Sequence, residues 1–584
     1  MSGAAARAVP SAKAWFLDSE VGERFPAWTR GNAADVFPEP ISPLAQTLYI
    51  RPGLAAGLRD ADISMGMLDW DEFEDPENPD LFKVFGGYLY NALSLVRVFG
   101  ARMPGATPEA IDNAFFDSRD QVPPYIAEPW HDSPRHAAML AETLQWAMST
   151  ASIPELDVQK ALAEQIRDAR PDLPDLTDAH LIARARSLVP VLQYMFDTGM
   201  VASTVSSLGP GVLQAISAQL GDPSIAIRLL AGIEVDSAAP SHAMWALATT
   251  VRSSSVLTSV FDAGPAGALD RMRELEHVDA KEFLGELDAF IRLFGSRGAN
   301  EWDVIAPTWE VNPETALSAI DLMRRSDESN APVGRRSASV AERDRLIAEV
   351  RAKLAGNEEA RATFEAGLRS AQVFLSGRER YKTNCIIVVG EIRMCLRELA
   401  RRMVERGVVD CVEQFFMVTN SELDAIRQRP GDFRDVLADR WTQYQVLRTL
   451  EPPFVVNGIA PSRSDLTPRS TDAAQAASGE VLTGAAGSGG TARGRARIVH
   501  HPENLGNLEP GDVLVAPQTD PSWVPLFLAA SAVVVNVGAL GSHAMIVSRE
   551  LGIPCVVSVV DATDRIPDGA MITVDGTAGT VTLD

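Results

Sequence analysis

Through the first three quarters of the chain, apolar residues recur every three to four positions, the spacing that puts them on one face of an α-helix. The pattern predicts helices over 81–99, 136–152, 155–168, 178–198, 212–220, 240–252 and 280–294. Pro and Asp clusters such as Pro171-Asp172-Leu173-Pro174-Asp175 separate them. A longer helical stretch runs from about 371 to 406 and closes at Gly407. Almost nothing alternates with period two, so residues 21–458 read as one large, mainly helical domain. Residues 325–345 are polar and charged and read as a mobile segment, and residues 1–20 as a flexible arm.

Near residue 460 the pattern changes. Pro461 to Gly490 is Ser, Thr, Ala, Gly and Pro without apolar period, the composition of a tether, and places a linker at 459–480. Short β-branched runs at 496–499, 512–516, 532–537, 555–559 and 571–575 then predict strands, with helices after Pro521 and Ser542. Residues 481–584 form a compact α/β unit, so the expected fold class is multidomain: a mainly-α domain followed by a C-terminal α/β domain.

The most informative stretch lies in that last domain. The strand Ala532-Val533-Val534-Val535 leads to a glycine-studded turn, Gly538-Ala539-Leu540-Gly541. Ser542 follows at a capping position, and His543 opens a helix that stops at Gly552 before Pro554. Free N–H groups and the positive end of the helix dipole favour negative charge there. An imidazole so placed is suited to take a phosphoryl group, with Gly541, Ser542 and Arg549 as candidate supports; a plain capping histidine is the alternative. Ser241-His242-Ala243-Met244 repeats four of these letters without the glycines and reads as structural.

Three further segments carry candidate chemistry. Arg378 and Lys382 are four apart and share a helix face; their repulsion calls for an anionic neighbour, a ligand or Glu379. In Gly295-Ser296-Arg297-Gly298, the glycines permit close backbone approach and Arg297 offers a fork for a carboxylate or phosphate, with Glu301 four residues on. An internal Arg297–Glu301 ion pair in a helix-to-helix turn is the alternative. The segment from Trp28 through Arg30, Phe37 and Pro43 is proline-rich without period, and either lines a pocket or crosses a surface.

Residues Gly538 to Pro554 resemble the phosphohistidine swivelling domain of phosphoenolpyruvate-utilising enzymes, with Gly541 and Met545 departing from the usual pattern. Arg378 and Lys382 match the family's Arg-Glu-x-x-Lys helix, which implies that they contact the transferred phosphoryl group. The stretch around Arg297 resembles its Gly-His-Arg-Gly…Glu segment, with Ser296 where His is usual. The region from Trp28 resembles the substrate side of rifampicin phosphotransferase-like and phenylphosphate synthase-like proteins, favouring the pocket reading of Trp28, Arg30, Phe37, Arg297 and Glu301. The domain order resembles the larger subunit of two-component aryl phosphate synthases, or rifampicin phosphotransferase without its ATP-grasp part.

Composition bounds the rest. The net charge of −25 argues against sequence-independent nucleic-acid binding, and no run approaches a membrane span. Cysteines 385, 395, 411 and 555 form no metal or disulfide spacing, so a reduced cytoplasmic protein without a metal site is expected. By the resemblance, His543 carries a phosphoryl group from an ATP-grasp-type partner subunit, which binds ATP and Mg²⁺, to a small phenolic hydroxyl (phenol or p-cresol type). The products are an aryl phosphate, AMP and phosphate. A bulkier acceptor such as a rifamycin, or a non-enzymatic phosphohistidine relay, are the alternatives.

Overall fold

The computed structural model describes residues 15–116, 122–328, 331–469, 473–501, 508–538 and 542–584. Its axis is one helix of 48 residues, Glu358–Glu405. Asn357 starts it by accepting the N–H of Ala360 at 3.0 Å, and Gly407 ends it in a left-handed conformation, φ 68°. Helices Pro154–Asp168, Asp178–Ser187, Val189–Val205 and Leu208–Gln219 pack along it. Two of these crossings depend on glycine. A Cβ at Gly199 would lie 2.1 Å from Tyr381 Cδ2, and one at Gly209 would lie 2.3 Å from the backbone nitrogen of Ala371.

The helical domain contains a sheet that apolar spacing hides. Residues 81–99, expected as one helix, are a hairpin, Phe82–Phe85 and Tyr88–Asn91, followed by helix Leu93–Arg102. Gly86 and Gly87 at φ 57° and 81° make the two-residue turn that only such positive-φ pairs allow. Strand Ala27–Thr29 joins the hairpin and pairs on its other edge with Val455–Asn457, so the two ends of the domain meet in one antiparallel sheet.

Other expectations also change. Residues 325–345 fall largely within helix Pro332–Lys353, which starts on Pro332 at its first position. In the expected N-terminal arm, Trp15 is buried against Tyr444 and the N–H of Ser19 donates to Val84 O at 2.7 Å. The expected tether is strapped at both ends. Leu450–Glu451 pairs with Thr467–Pro468, Arg469 binds Glu39 at 2.8 Å, and Ala476 N–H donates to Arg565 O at 2.8 Å.

The C-terminal domain is an eight-stranded mixed sheet. Parallel strands Thr491–Ile498, Val513–Ala516, Ala532–Val535 and Cys555–Val557 form its centre. The Val-rich central strands are buried on both faces, as parallel strands require. Antiparallel strands Val481–Thr483, Ala485–Ser488, Met571–Asp575 and Thr580–Leu583 complete the sheet. This domain is seated on the helical one. Helix Val524–Ala529 lies against Pro313–Arg324, and one apolar core runs without a break from Met244, Phe283 and Ile320 to Phe527, Met545 and Val547. Among the described residues, no helix is long and apolar enough to cross a membrane.

Candidate active site

His543 opens helix His543–Leu551 directly after Ser542, whose extended backbone (φ −68°, ψ 154°) is that of a residue preceding a helix. The Ser542 hydroxyl does not cap: it is buried without a hydrogen-bond partner among the described residues. Gly541 lies outside the described residues. Arg549 is not at the mouth of the helix. Six residues on, its Nε donates to Gly487 O at 2.8 Å and straps the helix to its sheet.

The imidazole is fixed on two sides. Nδ1 lies 3.1 Å from Thr519 Oγ1, and the ring meets Phe527 edge-on with centroids 5.9 Å apart. A tautomer whose Nδ1–H donates to Thr519 would leave the Nε2 lone pair free, and Nε2 is buried with no partner among the described residues. Burial pushes the imidazole down to about 3; Glu379 opposes this, while Lys382 and Arg297 add to it. His543 is therefore neutral at physiological pH, with Nε2 as the available nucleophile.

Those three neighbours belong to the helical domain, so the fold brings His543 to the segments singled out in the sequence. Lys382 Nζ lies 3.4 Å from the buried Glu379 carboxylate, one helical turn away. Burial alone would raise Glu379, yet Lys382 and Arg378 bring it down to about 2. Burial also lowers Lys382, against the pull of Glu379. The anionic neighbour demanded by the basic pair is thus the glutamate between them, and it is buried rather than solvated.

Arg297 donates to Glu301 at 2.6 Å and to Thr383 Oγ1 at 3.3 Å. The internal ion pair forms, and the flanking glycines approach their own chain: a Cβ at Gly298 would lie 2.7 Å from Thr308 Cα. The pair nonetheless sits beside the histidine, within range to shift it. Trp28 and Phe37 are packed into the core. The Trp28 indole is buried and donates to Phe25 O at 2.7 Å, and Phe37 packs on Trp302.

Arg30 does line a pocket. A cleft of about 850 Å³ opens between the two domains. Arg30, Asp35 and Tyr88 form part of one wall, and Thr519, Asp520 and Trp523 part of the other. Arg30 is held under Tyr88 and Tyr90 and donates to Leu89 O at 2.7 Å. Thr519, Asp520 and Asp35 are site residues that sequence reasoning missed. A helix was expected after Pro521, but nothing in the sequence tied residue 519 to the histidine 24 positions later. A three-ligand cluster far along the helical domain, Asp69, Glu72 and His136, has its carboxylates already paired with Arg135 and Arg102.

Residues 508–579 match the mobile domain of PEP-utilising enzymes, and residues 197–379 match the fourth domain of rifampicin phosphotransferase. The chain is 31% identical to a rifampicin phosphotransferase of Streptomyces sviceus over 303 residues, 51% of this chain and 34% of that one. An uncharacterized protein of Mycobacterium tuberculosis H37Rv is 28% identical over 578 residues, 97% of this chain and 62% of its own length. The chain therefore spans less than two thirds of these relatives.

Proposed function

We propose that this chain is a phosphotransferase subunit in which His543 carries a phosphoryl group to the hydroxyl of an organic acceptor held in the interdomain cleft. The observation that carries the reading is the meeting, across the domain boundary, of a neutral Nε2 that has no partner among the described residues with Lys382 and with Glu379, the carboxylate that Arg378 also faces. Nε2 would attack the phosphoryl donor, splitting one hard transfer into two easier ones. At the cleft, the basic pair would offset the charge that spreads over the phosphoryl oxygens during transfer. Charging would occur on an ATP-grasp-type partner that binds ATP and Mg²⁺, with the α/β domain moving between stations.

The acceptor class divides two readings. A phenol or p-cresol suits the hydroxyl chemistry but would fill little of a cleft of about 850 Å³. A bulkier hydroxyl compound fills such a volume better, as ligand pockets run to ~1,000 Å³. Incubation with [β-³²P]ATP, a candidate ATP-grasp partner, and p-cresol or rifampicin tests both. Label is expected on His543 and then on one of the two compounds, and His543→Ala is expected to abolish both signals. Undiminished product from that variant overturns the carrier reading; label that stops at His543 leaves only a relay.

A further inference from the structure

The basic pair can hold a phosphoryl group, but it gives the acceptor's proton nowhere to go. A hydroxyl attacks well only as its proton leaves, and a positioned base accelerates such a step by ~10²–10⁴-fold. Among the carboxyls that line the cleft, Asp35 and Asp520 share it with Thr519, the hydrogen-bond partner of His543. Asp520 accepts from the N–H of Ser522 at 2.9 Å and from its hydroxyl, presses against Glu301, and belongs to the domain that carries the histidine. It is both engaged and displaced whenever that domain moves.

Asp35 differs on each count. It sits on the fixed wall, half-buried in the short helix Ala33–Val36, and lines the cleft. Among the described residues no hydrogen bond from a side chain occupies its carboxylate. The helix is set by Asn32, a non-glycine residue at φ 62°, a conformation that persists only where surrounding structure enforces it. Lys382, Arg378 and Arg30 are the charged groups that face Asp35. The first two are the cations proposed to hold the phosphoryl oxygens. Asp35 also lines the same cleft as Thr519, the partner of His543, so an acceptor hydroxyl held there would share one cavity with this carboxylate and with the histidine's neighbour.

We propose that Asp35 is the base that takes the proton of the acceptor hydroxyl as the phosphoryl group leaves His543, an inference that rests on the carrier reading. The O–P bond forms and the P–Nε2 bond breaks, its electron pair returning to Nε2 of an imidazole that keeps its Nδ1 proton. The hydroxyl proton passes to Asp35, and no other reactant is needed. Burial raises the Asp35 carboxyl to about 6 while the three cations pull it back, so it is ionised at neutral pH yet basic enough to accept a proton.

The full chain can be charged chemically with phosphoramidate, a small donor to histidine, and the loss of phosphate followed by ³¹P NMR with water alone and with added p-cresol. Water is itself a hydroxyl acceptor, so a rate exists whatever the natural substrate. Asp35→Asn is expected to charge normally but to transfer ~10²-fold more slowly or worse, with Asp35→Glu recovering part of the rate. The wild-type to Asp35→Asn rate ratio should rise with pH through about 6. Loss of charge on Lys382 would slow transfer with rising pH, the opposite sign. Equal rates and equal pH profiles for wild type and Asp35→Asn, both charged at His543, overturn the role of Asp35 alone. Failure of the wild type to charge at His543 overturns the carrier reading beneath it.

Discussion

A histidine serves as phosphoryl carrier only while its ring is neutral and its free nitrogen faces the donor. Burial secures the first condition, holding the imidazole near 3, and the Thr519 hydroxyl would secure the second by accepting from Nδ1–H. Imidazole ¹⁵N NMR should therefore show one neutral Nδ1–H tautomer from pH 8 down to 5. Thr519→Val should mix the tautomers and slow charging by roughly fivefold to tenfold, the worth of one hydrogen bond. Glu379 makes the complementary case. Its carboxyl falls from 4.5 in the unfolded chain to about 2 in the fold, so its stabilisation is complete above about pH 4.5 and is lost as pH falls toward 2. The shift corresponds to on the order of 3 kcal/mol. Glu379→Gln should lower the urea midpoint at pH 7 by a comparable free energy, and the gap from wild type should narrow at pH 3. A gap that is the same at both values would show that Glu379 stabilises through packing rather than charge.

At the scale of elements, the long helix Glu358–Glu405 sets the register of the site, because Arg378, Glu379 and Lys382 are presented by one turn of it. That turn is placed by the crossings at Gly199 and Gly209. The neighbour at Gly209 is backbone, which cannot rotate away, so Gly209→Ala should cost about 3 kcal/mol or more, read as a drop in thermal midpoint with loss of phosphoryl transfer. The helix itself was legible in the sequence, since its apolar stripe persists over many turns, and so were the strands around His543. The hairpin at Phe82–Asn91 was not, because Phe82, Phe85, Leu89 and Leu93 recur at the three- and four-residue spacing of a helical face. The discriminating signal was Gly86-Gly87, a poor helix interior and a favoured two-residue turn. Helix Pro332–Lys353 failed for the converse reason: its polar surface masks the few apolar residues, Leu346, Ile347 and Val350, that it buries. Site residues followed the same rule. His543, Arg378 and Lys382 were singled out from local pattern, whereas Thr519 meets the histidine across 24 residues of its own domain and Asp35 comes to the cleft only through the tertiary fold.

At the scale of the molecule, the seating of the α/β domain on the helical one is linked to protons. Three groups on the seated domain are shifted by what they meet. Asp520, buried and facing Glu301, is raised to about 7. Glu550, buried against helix Pro332–Lys353 with Glu379 and Glu234 opposing it and Arg336 helping, is raised to about 8. His543 is lowered to about 3. If the domain leaves, as the proposed function requires, the two carboxyls return toward ~4 and the imidazole toward ~6.5. A raised carboxyl favours the seated state at low pH and loses that effect as pH rises through its seated value. The lowered histidine acts the other way, but only below about 6.5. From pH 6.5 to 8 the carboxyls act alone, so seating takes up nearly two protons at the lower end and fewer than one at the upper, and its equilibrium constant should fall most steeply near pH 6.5, by roughly tenfold or more per pH unit. Fluorescence energy transfer between dyes on the two domains, or the radius of gyration from small-angle scattering, should show a shift toward separated domains across this window. Asp520→Asn with Glu550→Gln mimics the protonated pair, so this double variant should stay seated and lose most of the pH dependence. A wild-type profile that is flat between pH 6.5 and 8, or one the double variant leaves unchanged, would show that the apolar core shared by Phe527 and Ile320 governs seating without help from these carboxyls.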